Sequence, residues 1–215
     1  MLGEPIFKTI RALKHFIIED RKPANRLLKA AGVPTPFKDI HFYPLNEHSQ
    51  QDEITGIMNC LLEDNDMGMI SGAGYPALAD PGENVIKLAH HHQIKVIPLY
   101  GASSVLLALA ASGLNAEAFS FHAYLPAKNE LRKGVIISLA KEAEQTNYTQ
   151  IFIETPYRAE RLFEDLLKYC PQNLFLCIAA DLCSEHETIR TKRIRDWKNE
   201  EINLRKRLVV FLLGK

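Results

Sequence analysis

Residues 71–82 read SGAGYPALADPG and form a glycine- and proline-rich stretch between two regular patterns. The short apolar run 67–70 precedes the stretch, and a helical pattern over 83–92 follows it. In α/β proteins, the loops that follow parallel strands line the crevice where ligands bind. The stretch therefore predicts an α/β fold and raises the question of which ligand its loop holds.

Gly72 to Ala77 fits G-x-G-x-x-A, the looser dinucleotide-binding pattern, but the surroundings do not fit it. Pro76 and Pro81 disfavour helix at the residue before each of them, so the helix cannot begin directly after the strand. The acidic residue expected about 20 residues later is also absent. Two other interpretations stay open: a turn that binds nothing, and a loop for a different ligand.

A second turn with small residues favours the different ligand. Gly101 to Ser104 follows the next strand-like run and enters a helix, so its free amides and two hydroxyls suit a carboxylate or a phosphate. Gly72 and Gly74 have no Cβ, which lets the backbone approach a ligand closely. Two such turns together favour a ligand-binding site more strongly than either turn alone.

Composition limits the class of protein. The 215 residues include 26 Lys+Arg and 26 Asp+Glu, so no net charge attracts nucleic acid or an anionic membrane. No apolar run reaches the roughly 20 residues of a membrane span. Four scattered cysteines without a C-x-x-C pair are typical of reduced thiols, so we expect a cytoplasmic protein with no membrane contact.

The chain divides into two predicted α/β domains, 1–116 and 117–215. In the first, strands over 15–18, 40–45, 67–70 and 94–99 alternate with helices, which predicts a mostly parallel sheet. In the second, strands crowd together near the end of the chain, over 174–180, 186–194 and 207–213, which predicts a mixed sheet. The chain enters a helix almost at once, so the first strand of such a domain is expected to be missing.

Several motifs, in order along almost the whole chain, resemble one enzyme family. SGAGYPALADPG, then YGASSVLLALAASGL from Tyr100, FSFHAYLPAK from Phe119 and IFIETPYR from Ile151 are similar to the tetrapyrrole methylase superfamily of S-adenosylmethionine-dependent methyltransferases. Within it, the likeness is strongest to the branch that methylates a cytidine 2′-hydroxyl in small-subunit ribosomal RNA.

The resemblance implies two α/β domains with S-adenosylmethionine in the cleft between them, and a homodimer that acts on ribosomal RNA or the small subunit. The positions it implies for cofactor binding are Gly74, Tyr75, Pro76, Leu78, Ser103, Ser104, Glu154, Thr155 and Asp181.

The chain also departs from the family's pattern. The family's first strand and the turn after it are absent, so the chain is expected to be a shortened product. The family's A-R-E-L-T-K becomes AADLCS over 179–184, which removes an Arg and a Lys that could hold RNA phosphate. Two alternatives stay open: a corrin-pathway tetrapyrrole methyltransferase, and a cofactor-binding homologue without catalysis.

Transfer to a ribose hydroxyl needs a base or a cation, and the sequence assigns no catalytic residue. His48, Lys128 and Arg132 are weak candidates for substrate contact, each with a solvated surface position as the alternative. His90, His91 and His92 are adjacent on a predicted helix and point in different directions, so no metal site is expected. For the basic stretches around Lys192 and 205–207, a solvated face is favoured over RNA contact.

Overall fold

The computed structural model describes residues 2–46, 49, 51–72 and 74–215. The chain forms two compact units, the first ending at Ala102 and the second beginning at Ser103. The predicted boundary near residue 116 lies later, after a helix that the structure packs onto the second sheet. This helix, α5 (Ser104–Ser112), buries Val105, Ala108 and Leu109 against strands of the second unit.

The first unit is built on a three-stranded parallel sheet. Its strands are β1 (His15–Ile18), β2 (His41–Pro44) and β3 (Met67–Ile70), in the order β2-β1-β3. His15 pairs with both His41 and Met67, so the three strands begin and end in register. The helices of this unit are α1 (Glu4–Ala12), α2 (Arg21–Ala30), α3 (Gln51–Leu62) and α4 (Glu83–His91).

Helices cover both faces of this sheet, as expected for parallel strands. Phe16 and Ile18 pack toward α1 and α2, whereas Ile17 packs on the other face with Ile57 of α3 and Val85 of α4. The Asp20 side chain caps α2 by accepting a 2.8 Å hydrogen bond from the Lys22 amide, so the chain turns sharply after β1.

The predicted strand over 94–99 is wrong. Residues 94–100 are assigned no regular structure, and Ile97 is 64% exposed. The three-stranded sheet contains no partner for them among the described residues, and Pro98 has no N–H to donate to a ladder. The apolar pattern over 94–99 has a suitable length for a strand, but a strand also needs a neighbouring strand with which to form hydrogen bonds.

The second unit contains a five-stranded mixed sheet in the order β4-β5-β8-β6-β7. The strands are β4 (Phe119–Tyr124), β5 (Thr149–Glu154), β6 (Phe175–Ala180), β7 (Thr188–Arg193) and β8 (Val209–Gly214). The helices that accompany α5 are α6 (Asn129–Thr146), α7 (Ala159–Tyr169) and the short α8 (Ile194–Trp197).

The strand directions bring several strand ends together at one edge of this sheet. β4 and β5 are parallel, and β8 runs antiparallel to both β5 and β6. The carboxyl ends of β4, β5 and β6 therefore lie together, beside the start of β8. We call this the strand-end edge and define it as residues 124–128, 154–158, 181 and 205–208.

The mixed second sheet and the parallel first sheet confirm the predicted fold class. The last two strands do not pair with each other, because β8 inserts between β5 and β6 while β7 pairs with β6 alone. Within the described part of the chain, every helix is too short or too polar to cross a membrane.

Candidate functional site

The loop after β3 holds a run of unusual backbone conformations. Gly74 has φ +76°, and the non-glycine residues Ala77 and Ala79 have φ +64° and +58°. L-residues adopt such angles at a cost, and strained backbone of this kind clusters at ligand-binding sites. The described residues 74–82 of this loop therefore adopt a specific shape at the carboxyl end of the parallel sheet.

Two contacts fix that shape. The Tyr75 hydroxyl donates to the Gly101 carbonyl at 2.8 Å and accepts from the Gly101 amide at 2.7 Å, which joins the loop to the turn before Ser103. At the other end of the loop, a Cβ on Gly82 would lie 2.4 Å from the Met69 sulfur and 3.2 Å from the Ala77 amide nitrogen. A larger residue at position 82 would therefore have to displace the Met69 side chain and crowd the Ala77 backbone.

The predicted donor-contact residues of the first unit differ in exposure. Tyr75 and Pro76 are half-buried in the loop, whereas Leu78 is 48% exposed although it is a large apolar side chain. Gly74 has open space where a Cβ would stand. An exposed apolar side chain beside open backbone can contact a flat, partly apolar ligand such as a nucleoside.

Ser103 and Ser104 open α5 in the second unit. The Ser103 hydroxyl, itself buried, caps the helix by accepting a 3.4 Å hydrogen bond from the Leu106 amide. Among the described residues, the Ser104 and Val105 amides have no hydrogen-bond acceptor. The start of this helix therefore offers two free donors and a positive dipole end to an anionic group.

Glu154 lies at the end of β5 and is almost fully buried. Its Oε1 atom accepts hydrogen bonds from the Thr155 amide at 2.6 Å and from Arg158 Nε at 2.8 Å. These bonds compensate the burial of the carboxylate and fix the turn that leads into α7. Glu154 and Thr155 are therefore one rigid unit at the strand-end edge.

Asp181 lies at the same edge, one strand beyond β8. Its carboxylate accepts from Arg207 Nε at 2.6 Å and from the Leu208 amide at 3.1 Å, and its backbone has φ +51°. Glu154 and Ala180 both pair with Val209 of β8, from opposite sides. Glu154 and Asp181 are thus about two strand spacings, roughly 10 Å, apart.

The start of α5 faces the same edge. Ser112, at the far end of the helix, accepts a 2.7 Å bond from Thr191 through its carbonyl, and Leu114 packs within reach of Gly214 at the last residue of β8. Because α5 ends beside the finish of β8, it begins toward the strand-end edge. The second unit thus gathers its five predicted residues, Ser103, Ser104, Glu154, Thr155 and Asp181, around one edge.

Arg132 does not have the exposed position expected of an RNA contact. Its side chain is 4% exposed, and all five N–H donors are used inside the second unit. Nε and Nη2 bind Asp165, Nη2 also binds Asn129, and Nη1 binds the carbonyls of Pro126 and Ala127. Arg132 therefore fixes the turn between β4 and α6 and has no donor left for a substrate.

The remaining substrate candidates have different positions. Lys128 is exposed at the start of α6, next to the turn that Arg132 fixes, and so belongs to the strand-end edge. His48 lies outside the described residues. His90 and His91 end α4 and His92 follows it, and the described residues contain no group of three His, Cys, Asp or Glu placed to hold a metal ion.

A separate polar cluster lies at the opposite, amino-terminal end of the first sheet. His15 Nδ1 is 3.0 Å from the Tyr43 hydroxyl and 3.3 Å from Cys60 Sγ, and its ring stacks on His41. Burial, followed by the nearby His41 and Lys14, lowers the pKa of His15. The hydrogen bond to Cys60, followed by burial, raises the pKa of Tyr43 to about 12.

Sequence reasoning missed the two arginines that anchor the acidic residues of the strand-end edge. Arg158 is four residues after Glu154, a helical spacing that could have indicated the pair. Arg207 is 26 residues from Asp181 along the chain, and only the insertion of β8 beside β6 brings the two together.

The fold is shared with two solved methyltransferases. The solved methyltransferase CobJ matches with a TM-score of 0.65 and 14% identity, over 100% of this chain and 88% of that chain. A cobalamin biosynthetic enzyme, cobalt precorrin-4 methyltransferase CbiF, matches with a TM-score of 0.62 and 11% identity, over 99% and 88%. At these identities the likeness establishes the fold alone.

The family is established by sequence. Residues 7–197 match the model of the Tetrapyrrole (Corrin/Porphyrin) Methylases, and the chain belongs to that family. Proteins named ribosomal RNA small subunit methyltransferase I are similar: that of Haemophilus influenzae is 30% identical over 96% of this chain and 74% of its own length. That of Vibrio cholerae is 30% identical over 91% and 66%, and that of Escherichia coli O157:H7 is 25% identical over 96% and 70%.

Proposed function

We propose that this methyltransferase transfers a methyl group from S-adenosylmethionine to a ribose 2′-hydroxyl of small-subunit ribosomal RNA. The observation that carries the proposal is the 30% identity, over 96% of the chain, to a protein named ribosomal RNA small subunit methyltransferase I. The corrin-pathway alternative is not favoured, because the likeness to CobJ and CbiF is one of fold at 14% and 11% identity.

The residues described above fit the methyl donor. The free amides at the start of α5 suit the carboxylate of its amino-acid part, and the exposed Leu78 beside the open backbone of Gly74 suits its adenosine part. The proposed donor contacts are Gly74, Tyr75, Pro76, Leu78, Ser103, Ser104, Glu154, Thr155 and Asp181.

The chemistry asks little of the protein beyond orientation. When bound, S-adenosylmethionine supplies a methyl group on a sulfonium, whose leaving group is a neutral thioether. The chain must hold the ribose oxygen in line with that methyl, which is a matter of positioning. It must also favour loss of the hydroxyl proton, for which His48 and Lys128 are the proposed groups; no catalytic residue is assigned.

The proposal includes a cytoplasmic homodimer. Four free cysteines, three of them buried, are consistent with a reducing compartment. Sedimentation equilibrium at micromolar concentration is expected to give twice the 24.3 kDa mass of one chain. A single-chain mass at those concentrations would overturn the homodimer without affecting the proposed reaction.

Tritiated methyl transfer tests the proposed reaction. Small ribosomal subunits prepared without ribose methylation are expected to take up label, and the label should survive alkaline hydrolysis in dinucleotides, because a methylated 2′-oxygen cannot attack the adjacent phosphodiester. Label in mononucleotides would indicate base methylation and contradict the ribose target. Label only in RNA-free extract would favour the small-molecule alternative.

A further inference from the structure

Tyr157 is the most exposed of the large hydrophobic side chains in the described residues, at 88%. It lies in the turn between β5 and α7, directly after Pro156, on the strand-end edge. A tyrosine combines a polar hydroxyl with an apolar ring, so it can stand in water and still offer its ring face to a partner.

A basic turn lies beside this ring. Arg205 and Lys206 form the turn that leads into β8, and the Lys206 amide donates a 3.1 Å hydrogen bond to the Pro156 carbonyl. Pro156 immediately precedes Tyr157, so this bond holds the backbone that carries the ring beside the backbone that carries the two cations. The side chains of Arg205 and Lys206 are exposed and have no hydrogen-bond or ion-pair partner among the described residues.

The backbone that carries these side chains is rigid. Arg207 points inward, where it binds Asp181 at 2.6 Å and the carbonyl of His186 at 2.5 Å. Arg158 is held by Glu154, which fixes the turn on the other side of Tyr157. Arg207 and Arg158 thus hold the turns on which the contact lies, whereas the side chains of Arg205 and Lys206 are exposed to solvent.

Lys128 extends the row along the same edge. It follows β4, the neighbour of β5, and its turn is fixed by the bonds from Arg132 to the Pro126 and Ala127 carbonyls. From β4 through β5 to β8 the row covers two strand spacings, about 10 Å. One ring with cations on both sides is the arrangement that single-stranded nucleic acid contacts, since bases stack on aromatic rings and phosphates bind cations.

We infer that Lys128, Tyr157, Arg205 and Lys206 form a contact for single-stranded RNA. One base stacks on Tyr157, and the flanking phosphates bind Lys128 on one side and Arg205 with Lys206 on the other. The inference rests on the proposed function and adds to it the surface that holds the RNA. A target in a loop or an opened strand follows from it, because paired bases have no free face to stack on a side chain.

Fluorescence anisotropy with a labelled, mixed-sequence, single-stranded 20-mer RNA tests the contact. Tyr157→Ala is expected to weaken binding about tenfold, while Tyr157→Phe keeps the ring and restores it. The double variant R205Q/K206Q removes two phosphate contacts, so the slope of log affinity against log salt should become shallower by roughly 1.4.

The double variant K198A/K215A is the matched control. Both lysines are exposed; Lys198 follows α8 and Lys215 follows β8, at the opposite edge of the same sheet. The control therefore removes the same charge as R205Q/K206Q, but away from the proposed contact. It should leave RNA affinity and salt slope unchanged. Melting temperatures of all variants should match wild type, because none of the four contact side chains has a hydrogen-bond or ion-pair partner among the residues that the structure describes.

The outcomes separate the two proposals. Equal loss of affinity in the control, unchanged affinity in the Tyr157→Ala variant, or no RNA binding by the wild type would each overturn the contact. If the wild type still labels ribosomal RNA in such a case, the proposed function stands without the contact. If wild type and variants bind RNA as expected but no label is transferred, the contact stands and the proposed reaction fails.

Discussion

At the scale of single residues, Arg132 shows how burial changes the role that a sequence pattern indicates. A basic residue at the start of a helix resembles a phosphate contact, yet its guanidinium is enclosed by Asp165, Asn129 and two carbonyls. Arg132→Met is expected to reduce the free energy of unfolding by about 3–5 kcal/mol, because Asp165 would be left buried without its partner.

Urea denaturation measures this loss, with Lys141→Met on the same helix as control. Lys141 is exposed and has no partner among the described residues, so its loss should change the stability by no more than about 0.5 kcal/mol. If the two variants unfold at the same urea concentration, the hydrogen bonds of Arg132 do not stabilise the fold as proposed.

His15 gives a pH-dependent prediction. Its folded pKa lies below its ordinary value of 6.5, so the fold favours the neutral ring. Unfolding therefore binds a proton, and the contribution of His15 to stability is complete above pH 6.5 and declines as the pH falls from there toward the folded pKa. His41 is the second cause of the shift after burial, so His41→Gln should raise the pKa of His15 without restoring it fully.

A proton NMR titration of the His15 ring follows this pKa. His90→Gln, at the end of α4, is the control and should leave the titration of His15 in place. A His15 pKa at or above 6.5 in the wild type, or no change in the His41→Gln variant, would contradict the assignment.

At the scale of elements, the loop after β3 depends on one hydroxyl. Tyr75→Phe removes both bonds to Gly101, so residues 71–82 lose their tie to the turn before α5. We expect a loss of stability of about 1 kcal/mol and a clearly weaker affinity for S-adenosylmethionine, measured by calorimetry. Tyr100→Phe changes a 70% exposed ring nearby and should change neither the stability nor the affinity. Equal effects of both variants would show that the bonds from Tyr75 to Gly101 do not hold the loop.

Elements were predictable where the local pattern alone determines them. Strands over 15–18 and 67–70 are observed at the predicted bounds. Both are short apolar runs, and each also has a neighbouring strand to pair with. The run over 94–99 has the same local pattern but no paired edge among the described residues. Pairing is a property of the whole sheet, and a local pattern does not contain it.

At the scale of the whole molecule, the difference between local pattern and long-range strand pairing also decides which parts of the candidate site could be predicted. The proposal of Ser103, Glu154 and Asp181 as donor contacts followed from family motifs, whereas the contact of Arg207 with Asp181 could not be found without the strand order β5-β8-β6. The surface around Tyr157 also depends on that order, because β8 delivers Arg205 and Lys206 to the end of β5. Long-range pairing therefore builds the site from segments that look unrelated in sequence.

The proposed donor site predicts a ligand-dependent stability of the whole chain. A ligand that binds only the folded state stabilises it by about 2.7 kcal/mol at a concentration of 100 times its Kd. For a chain of this size, that corresponds to a rise in Tm of roughly 5–10 °C. S-adenosylmethionine and S-adenosylhomocysteine should both give this rise in calorimetric melting, whereas adenosine, which lacks the amino-acid part, should give a smaller one.

Leu78→Ser sharpens this experiment, because Leu78 is exposed and its replacement should barely change the Tm of the free protein. If Leu78 contacts the adenosine part, the rise in Tm caused by either ligand should become smaller in this variant, while His90→Gln keeps the full rise. An equal rise with adenosine would mean that the site does not recognise the amino-acid part, and the free amides at the start of α5 would then have no role in donor binding.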